Sequence, residues 1–183
     1  VESQYQVGLS YDQGDGVSRN QDKAHIYIRK AAYRDHVEAM AYLGNMYYCG
    51  IGTERDAPEG MKWYRKAADK GHGESQFALG TAYHRGEELP MDEPQALEWY
   101  QKAAANGLAK AEYEVALLHY KGLAGLAESK EEAHRWALRA AENGYAEAQF
   151  TYGMFHATGD GVEINMDVAL HWLQKAAAQE MVD

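Results

Sequence analysis

The chain has 183 residues, 46% of them apolar and 25% charged, with a formal net charge of −10. That balance admits one or two compact domains with a sizeable core and excludes a nucleic-acid surface, because 18 cations against 28 acids cannot neutralise a row of phosphates. No window approaches the roughly 18 apolar residues of a membrane span, and the single Cys49 forbids an intrachain disulfide without deciding the compartment.

Followed along the chain, the same string of signals recurs five times, in repeats of approximately 1–36, 37–72, 73–108, 109–145 and 146–183. Each repeat opens on a first helix carrying Gly8, Gly44, Gly80, Ala116 or Gly153 and then Tyr11, Tyr47, Tyr83, His119 or His156. In the second repeat that helix is expected from Val37 to Cys49, with Ala39, Leu43, Gly44 and Tyr47 on one stripe. A mid-helix glycine costs about 1 kcal/mol relative to alanine. Its recurrence predicts a close helix approach, with the glycine facing the Ala pair of a second helix.

Gly14, Gly50, Gly86, Gly122 and Gly159 then end the first helix. Asn20, Asp56, Asp92, Ser129 and Asn165 follow as N-caps able to accept from the free amides of a new helix. Glu59, Gln95 and Glu132 stand three residues on and predict capping boxes in the middle repeats. Pro58 and Pro94 fall in the first turn, where a missing N–H is harmless. The second helix runs through Tyr27, Trp63, Trp99, Trp136 and Trp172, an aromatic column expected in the core at the seams. It closes on Lys30-Ala31-Ala32 and its counterparts at 66–68, 102–104, 139–141 and 175–177, spaced by 36, 36, 37 and 36 residues. Gly71, Gly107 and Gly144 suit left-handed caps after it. One such pair cannot bury its apolar face alone, whereas stacked neighbours can.

These columns closely resemble the Sel1-like repeat family, relatives of the tetratricopeptide repeat. The second repeat carries the pattern best: Leu43-Gly44, Tyr47, Gly50-Ile51-Gly52, Asp56, Trp63-Tyr64, Lys66-Ala67-Ala68 and Gly71-His72. The resemblance covers essentially the whole chain. It implies a single domain folded as an all-α, right-handed α-α superhelix, an α-solenoid that serves as a scaffold or adaptor in protein complexes. Family members are often periplasmic or secreted bacterial proteins, some of them immunity or host-interaction factors. The chain departs from the pattern at Tyr27 for Trp, at Asp35 for Gly, and in Gly86-Glu87-Glu88, which lacks the second turn glycine. Gly122-Leu123-Ala124-Gly125 carries one extra residue, and the family's cysteine staples are absent. The opening Val1-Glu2-Ser3-Gln4 reads as a trimmed or mature form, and both ends stop within the pattern, which leaves association through the end repeats open.

By the same resemblance, first helices line a concave face. Their positions outside the packing stripe then form three columns: Tyr5, Ala41, Phe77, Tyr113 and Phe150; Leu9, Asn45, Thr81, Leu117 and Met154; and Asp12, Tyr48, His84, Tyr120 and Ala157. Glu38, Glu74, Lys110 and Glu147 sit at the helix starts. These positions vary between repeats while the packing columns do not, as expected where each repeat reads something different. Phe77, Tyr113 and Phe150 form a candidate aromatic anchor row. Glu38, Glu74 and Glu147 suit a basic segment of a protein or peptide partner. The alternative is that the aromatics fill a tightly wound interior and the acids are only solvated.

Nothing points to catalysis. Of the eight histidines, His119 and His156 share a packing column, and equivalent atoms of neighbouring repeats stand roughly 10 Å apart, too far for one metal. His36 and His72 read as structural turn residues. The pairs Glu87-Glu88, Asp92-Glu93 and Glu131-Glu132 lie at turns and helix starts, where acids favour the helix dipole. No nucleophile, zinc or phosphate-loop motif is present. The sequence therefore predicts a non-enzyme with no cofactor and no metal; a histidine-centred site is the remote alternative.

Overall fold

The computed structural model describes residues 1–180. Ten helices and no strand stand among the described residues: α1 (Glu2–Gln13), α2 (Gln21–Ala32), α3 (Val37–Cys49), α4 (Ala57–Asp69), α5 (Gly73–Arg85), α6 (Glu93–Ala105), α7 (Ala109–Lys121), α8 (Lys130–Glu142), α9 (Ala146–Thr158) and α10 (Met166–Glu180). They group into two compact units, an N-terminal one spanning Val1–Met91 and a C-terminal one beginning at Asp92.

The signals that set the helix limits act as expected. Asn20, Asp56, Asp92 and Ser129 each accept from the backbone N–H three residues on, and Asn165 does so from Val168. The capping boxes at Asp56 and Ser129 are only half made. The N–H of Asp56 goes to the Tyr47 carbonyl at 2.8 Å and that of Ser129 to the His119 carbonyl at 2.9 Å. Glu59 and Glu132, relieved of that role, pair with Lys62 and Arg135. The first helices close on a left-handed glycine column, Gly14 to Gly159.

Among the described residues three non-glycine residues adopt positive φ, and each lies where the sequence departs from the repeat. They are Asp35 at 66°, Glu88 at 63° and Ala124 at 60°. Glu88 stands where the second turn glycine is missing, and its carboxylate meets Arg55 at 3.1 Å.

In the N-terminal unit, α1 packs on α2 and α3 on α4. A Cβ on Gly44 would strike the Tyr64 ring and the Gly60 carbonyl. The mid-helix glycine thus faces Gly60 and Tyr64 and not the Ala pair expected from sequence. Ala67 and Ala68 instead belong to the core beside Trp63, which is 2% exposed. That core joins Ala24, Ile28 and Ala31 of α2 to Ala39, Leu43 and Met46 of α3, so it lies across the seam between two pairs. In the C-terminal unit α7 packs on α8 and α9 on α10, around Ala116, Ala137, Ala141, Ala148, Tyr152 and Trp172.

Each aromatic of the second-helix column also carries a cation three residues on. Lys66 stands 3.8 Å from the Trp63 ring centre and Lys102 stands 4.1 Å from that of Trp99. The lysine stems cover the rings and keep the charge in water.

One buried polar column bridges successive pairs. Gln76 donates to the Ala68 carbonyl at 3.0 Å, and Gln149 donates to the Ala141 carbonyl at 3.0 Å. Glu112 occupies the same position in α7 and is 0% exposed. Its carboxylate meets Arg139 Nε at 2.6 Å and accepts from Asn143 Nδ2 at 2.8 Å.

Candidate functional site

The first-helix face of the N-terminal unit is set by unusual caps. His36 Nδ1 accepts from the Ala39 N–H at 3.2 Å, and His72 Nδ1 accepts from the Ser75 N–H at 3.1 Å. An accepting Nδ1 places the proton on Nε2, and His36 Nε2 accordingly donates to Glu2 at 2.7 Å. Both imidazoles are structural, as expected, but as N-caps rather than turn residues. They orient the first turns of α3 and α5, where Glu38 and Glu74 are exposed and a Glu38 oxygen stands 3.3 Å from His36 Nδ1.

Behind those acids the predicted columns divide. Tyr5 is half-buried, with its ring 4.6 Å from His36 and edge-on to Tyr42 at 6.5 Å. It therefore serves the seam between the first two pairs. Asp12 does the same, accepting from the Tyr42 hydroxyl at 2.5 Å. Burial and that carboxylate push the Tyr42 hydroxyl well above the usual phenol range. Ala41 is buried. Leu9, Asn45, Tyr48, Phe77, Thr81 and His84 are half-buried. Asn45 accepts from Cys49 Sγ, and Tyr48 lies under the Arg55 guanidinium at 5.7 Å.

In the C-terminal unit, Glu147 is exposed and Lys110 half-buried. The Tyr113 hydroxyl shares a 2.9 Å hydrogen bond with Thr151, and its ring packs 5.5 Å from Tyr145. Burial, with Glu147 and Glu114 nearby, pushes the Tyr145 hydroxyl up to about 12. Tyr120 donates to Asp160 at 2.6 Å, and Lys130 pairs with the same carboxylate at 2.6 Å. These two donors hold the Asp160 carboxyl below its ordinary range. Leu117 and Ala157 are half-buried, whereas Phe150 and Met154 are 55% and 37% exposed.

The aromatic row is thus not uniform. Tyr5 and Tyr113 use much of their surface between pairs, and Phe150 offers most of its ring to solvent. The exposed acids Glu38, Glu74 and Glu147 share one place at the start of a first helix. In the C-terminal unit the exposed Phe150 and Met154 share α9 with the exposed Glu147. The paired carboxylates are engaged structurally: Glu88 with Arg55, Asp92 as a cap and Glu132 with Arg135.

Column-by-column reading did not pair His156 with its nearest imidazole. His134 of α8 places Nε2 3.3 Å from Nε2 of His156 in α9. The signal was present. His25 occupies the His134 position in α2, and its ring packs edge-on to Tyr47 of the next pair at 5.3 Å. Reading the second-helix column beside the next repeat's Tyr/His column brings the two histidines together. Among the described residues no group of three or more His, Cys, Asp or Glu side chains converges as a metal cage. No described helix is long and apolar enough to cross a membrane.

Comparison with known proteins agrees with this architecture. The Sel1 repeat pattern matches residues 1–36, 37–72, 73–108, 109–145 and 146–181. A Sel1 repeat protein from Oxalobacter formigenes superposes with a TM-score of 0.92 at 30% identity, over 97% of this chain and 72% of that one. The protective antigen c5321 of uropathogenic Escherichia coli, which displays the same repeat fold, gives 0.65 at 27% identity, over 97% of this chain and 46% of that one. The immunity protein Pa5087 of Pseudomonas aeruginosa gives 0.61 at 26% identity, over 97% and 65%. No protein of curated function matches the chain.

Proposed function

The chain belongs to the Sel1 repeat family, and we propose that it is a non-catalytic adaptor holding a protein or peptide partner along the exposed face of its first helices. Sel1 repeat proteins are in general protein-interaction scaffolds. The observation that carries the reading is a column of exposed acids on the first helices, with exposed apolar side chains on α9. In every repeat the packing positions are filled by small or aromatic core residues. At the start of the first helices Glu38, Glu74 and Glu147 fill one column and are exposed, and Phe150 and Met154 are exposed on α9. With a net charge of −10 behind them, those acids favour a partner segment rich in Lys and Arg, whose approach is salt-dependent. A regulatory, immunity or host-facing role is the sharper form of this reading; the names of two similar structures support the last two.

The test is affinity capture from the source cell, with three forms of the chain compared by mass spectrometry. The joint variant Glu38→Lys, Glu74→Lys, Glu147→Lys and Phe150→Ser is expected to lose a partner that wild type and Lys62→Gln, on the exposed side of α4, retain. Equal recovery by all three, with unchanged helical circular dichroism, overturns it.

A second reading rests on a separate observation. Phe150, Met154 and Leu170 are 55%, 37% and 51% exposed on the α9–α10 pair. This apolar surface suits association between copies. Light scattering across a concentration series tests it, and a strict monomer at every concentration rejects it.

A further inference from the structure

The α8–α9 seam holds two imidazoles whose ligating atoms face one another. We propose that His134 and His156 form a binding site for a borderline transition-metal ion, with zinc as the reference ion, through their Nε2 atoms. The geometry carries the assignment. Zinc binds imidazole nitrogen at about 2.0–2.1 Å in a tetrahedral shell, so two nitrogens on one ion stand about 3.3–3.4 Å apart. His134 Nε2 and His156 Nε2 are 3.3 Å apart, a separation that a shared ion would keep and that a hydrogen bond spans when one ring carries its proton there.

The surroundings suit the ligands. The His134 ring centre lies 4.5 Å from that of Tyr152 and 6.0 Å from that of Phe155. Burial among these rings, reinforced by the neighbouring His156, pulls the His134 pKa below its ordinary value. The imidazole is then neutral at pH 7, the form that ligates. Both residues are half-buried. A donor set of two imidazoles suits zinc, copper or nickel and not calcium or magnesium, which take oxygen. His156 Nδ1 is buried without a hydrogen-bond partner. With no acceptor to hold its proton, the ring is less strongly oriented than in a dedicated zinc cage. A site that exchanges its ion follows from this.

The pairing is local to one seam. The His134 column reads His25, Met61, Leu97, His134 and Leu170, and the His156 column reads Tyr11, Tyr47, Tyr83, His119 and His156. Only between α8 and α9 does a histidine of the second helix precede a histidine in the next first helix. The columns also supply substitutions the fold already accepts: His134→Leu and His156→Tyr.

Zinc chloride is titrated into wild type, each of these variants and His119→Tyr at neutral pH, followed by calorimetry and thermal unfolding. Wild type and His119→Tyr are expected to show one saturable site and a raised Tm, since an ion that binds only the folded state stabilises it. Both are expected to be lost in His134→Leu and in His156→Tyr, and to fade in wild type as the pH falls below about 6.5. Absence of saturable uptake by wild type, or uptake that persists in both variants, overturns the site. Should a variant fail to fold, imidazole NMR of wild type decides: zinc must shift the His134 and His156 signals before that of His119.

Discussion

The seam before α5 and the seam before α7 meet the same need with different chemistry. In the N-terminal unit, neutral Gln76 donates its amide to the Ala68 carbonyl at 3.0 Å. In the C-terminal unit the corresponding residue is Glu112, which has no proton to donate when ionised. The missing donor comes from Arg139, whose guanidinium reaches the Ala104 carbonyl at 3.4 Å while its Nε meets Glu112 at 2.6 Å. Lysine fills the Arg139 column in the other four repeats. Two departures from the repeat thus form one compensated unit. The lesson concerns risk: an amide in that slot can be lost at modest cost, whereas a buried carboxylate depends on its partner.

Removing that partner is the strongest way to break the comparison. Arg139→Met leaves Glu112 buried with only Asn143 beside it, and is expected to cost about 2–4 kcal/mol in urea unfolding, reduced from the fully buried case because the guanidinium is half in water. The double variant Glu112→Gln with Arg139→Lys recreates the amide solution and should return to within about 1 kcal/mol of wild type. A double variant as weak as Arg139→Met would sink the account of a shared slot. Gln76→Met should cost less, about 1 kcal/mol, because the Ala68 carbonyl keeps the Gly71 N–H at 2.9 Å.

Acid acts on both units. Burial lowers the pKa of His25, with Arg29 assisting, and that of His134. The unfolded chain then binds more protons than the folded one just below the ordinary histidine pKa of about 6.5. Stability is fully present above that pH and declines as the pH falls through it, until the folded imidazoles also take their protons. Thermal midpoints between pH 7.5 and 5 should record the decline, and the pair His25→Met with His134→Leu should flatten it. A decline unchanged in that double variant assigns it to other groups.

The smallest effect has the opposite sign. Asp35 holds φ at 66°, where a side chain costs about 1–2 kcal/mol and glycine costs nothing sterically. After the larger unfolded-state entropy of glycine and the loss of the Asp35–Lys70 pair at 3.3 Å, Asp35→Gly is expected to gain about 0.5 kcal/mol. A loss of stability would mean that the pair outweighs the strain.

Nearly all of the fold was legible because it is written five times. Caps, turns and the aromatic column could be checked against four counterparts, and even the strained residues Asp35, Glu88 and Ala124 marked themselves by breaking the register. The capping boxes were misread for a physical reason: the N-cap amide had a better acceptor in the carbonyl of Tyr47 or His119, which no local pattern reveals. The partner of Gly44 was misread because Gly60 and Ala67 lie two turns apart on one face of α4, and spacing alone does not fix which of them stands level with Gly44 along the axis. The proposed binding face was the least legible. A column position states that Tyr5, Phe77, Tyr113 and Phe150 are equivalent, but how much of each ring remains free depends on the neighbour that meets it. Tyr113 finds Thr151, and Phe150 stands open.

The hydrogen bond from four of the N-cap amides to the preceding helix has a practical consequence. Asn20 binds the Tyr11 carbonyl at 2.7 Å, Asp56 that of Tyr47 at 2.8 Å, Ser129 that of His119 at 2.9 Å and Asn165 that of His156 at 3.0 Å. The helix–helix turn is therefore stapled at its base, and what lies above the staple is a closed loop whose length the packing below does not sense. The extra residue in Gly122–Gly125 shows the tolerance at work. That loop is the place to splice in a peptide tag or a fluorophore attachment point without disturbing the helices on either side.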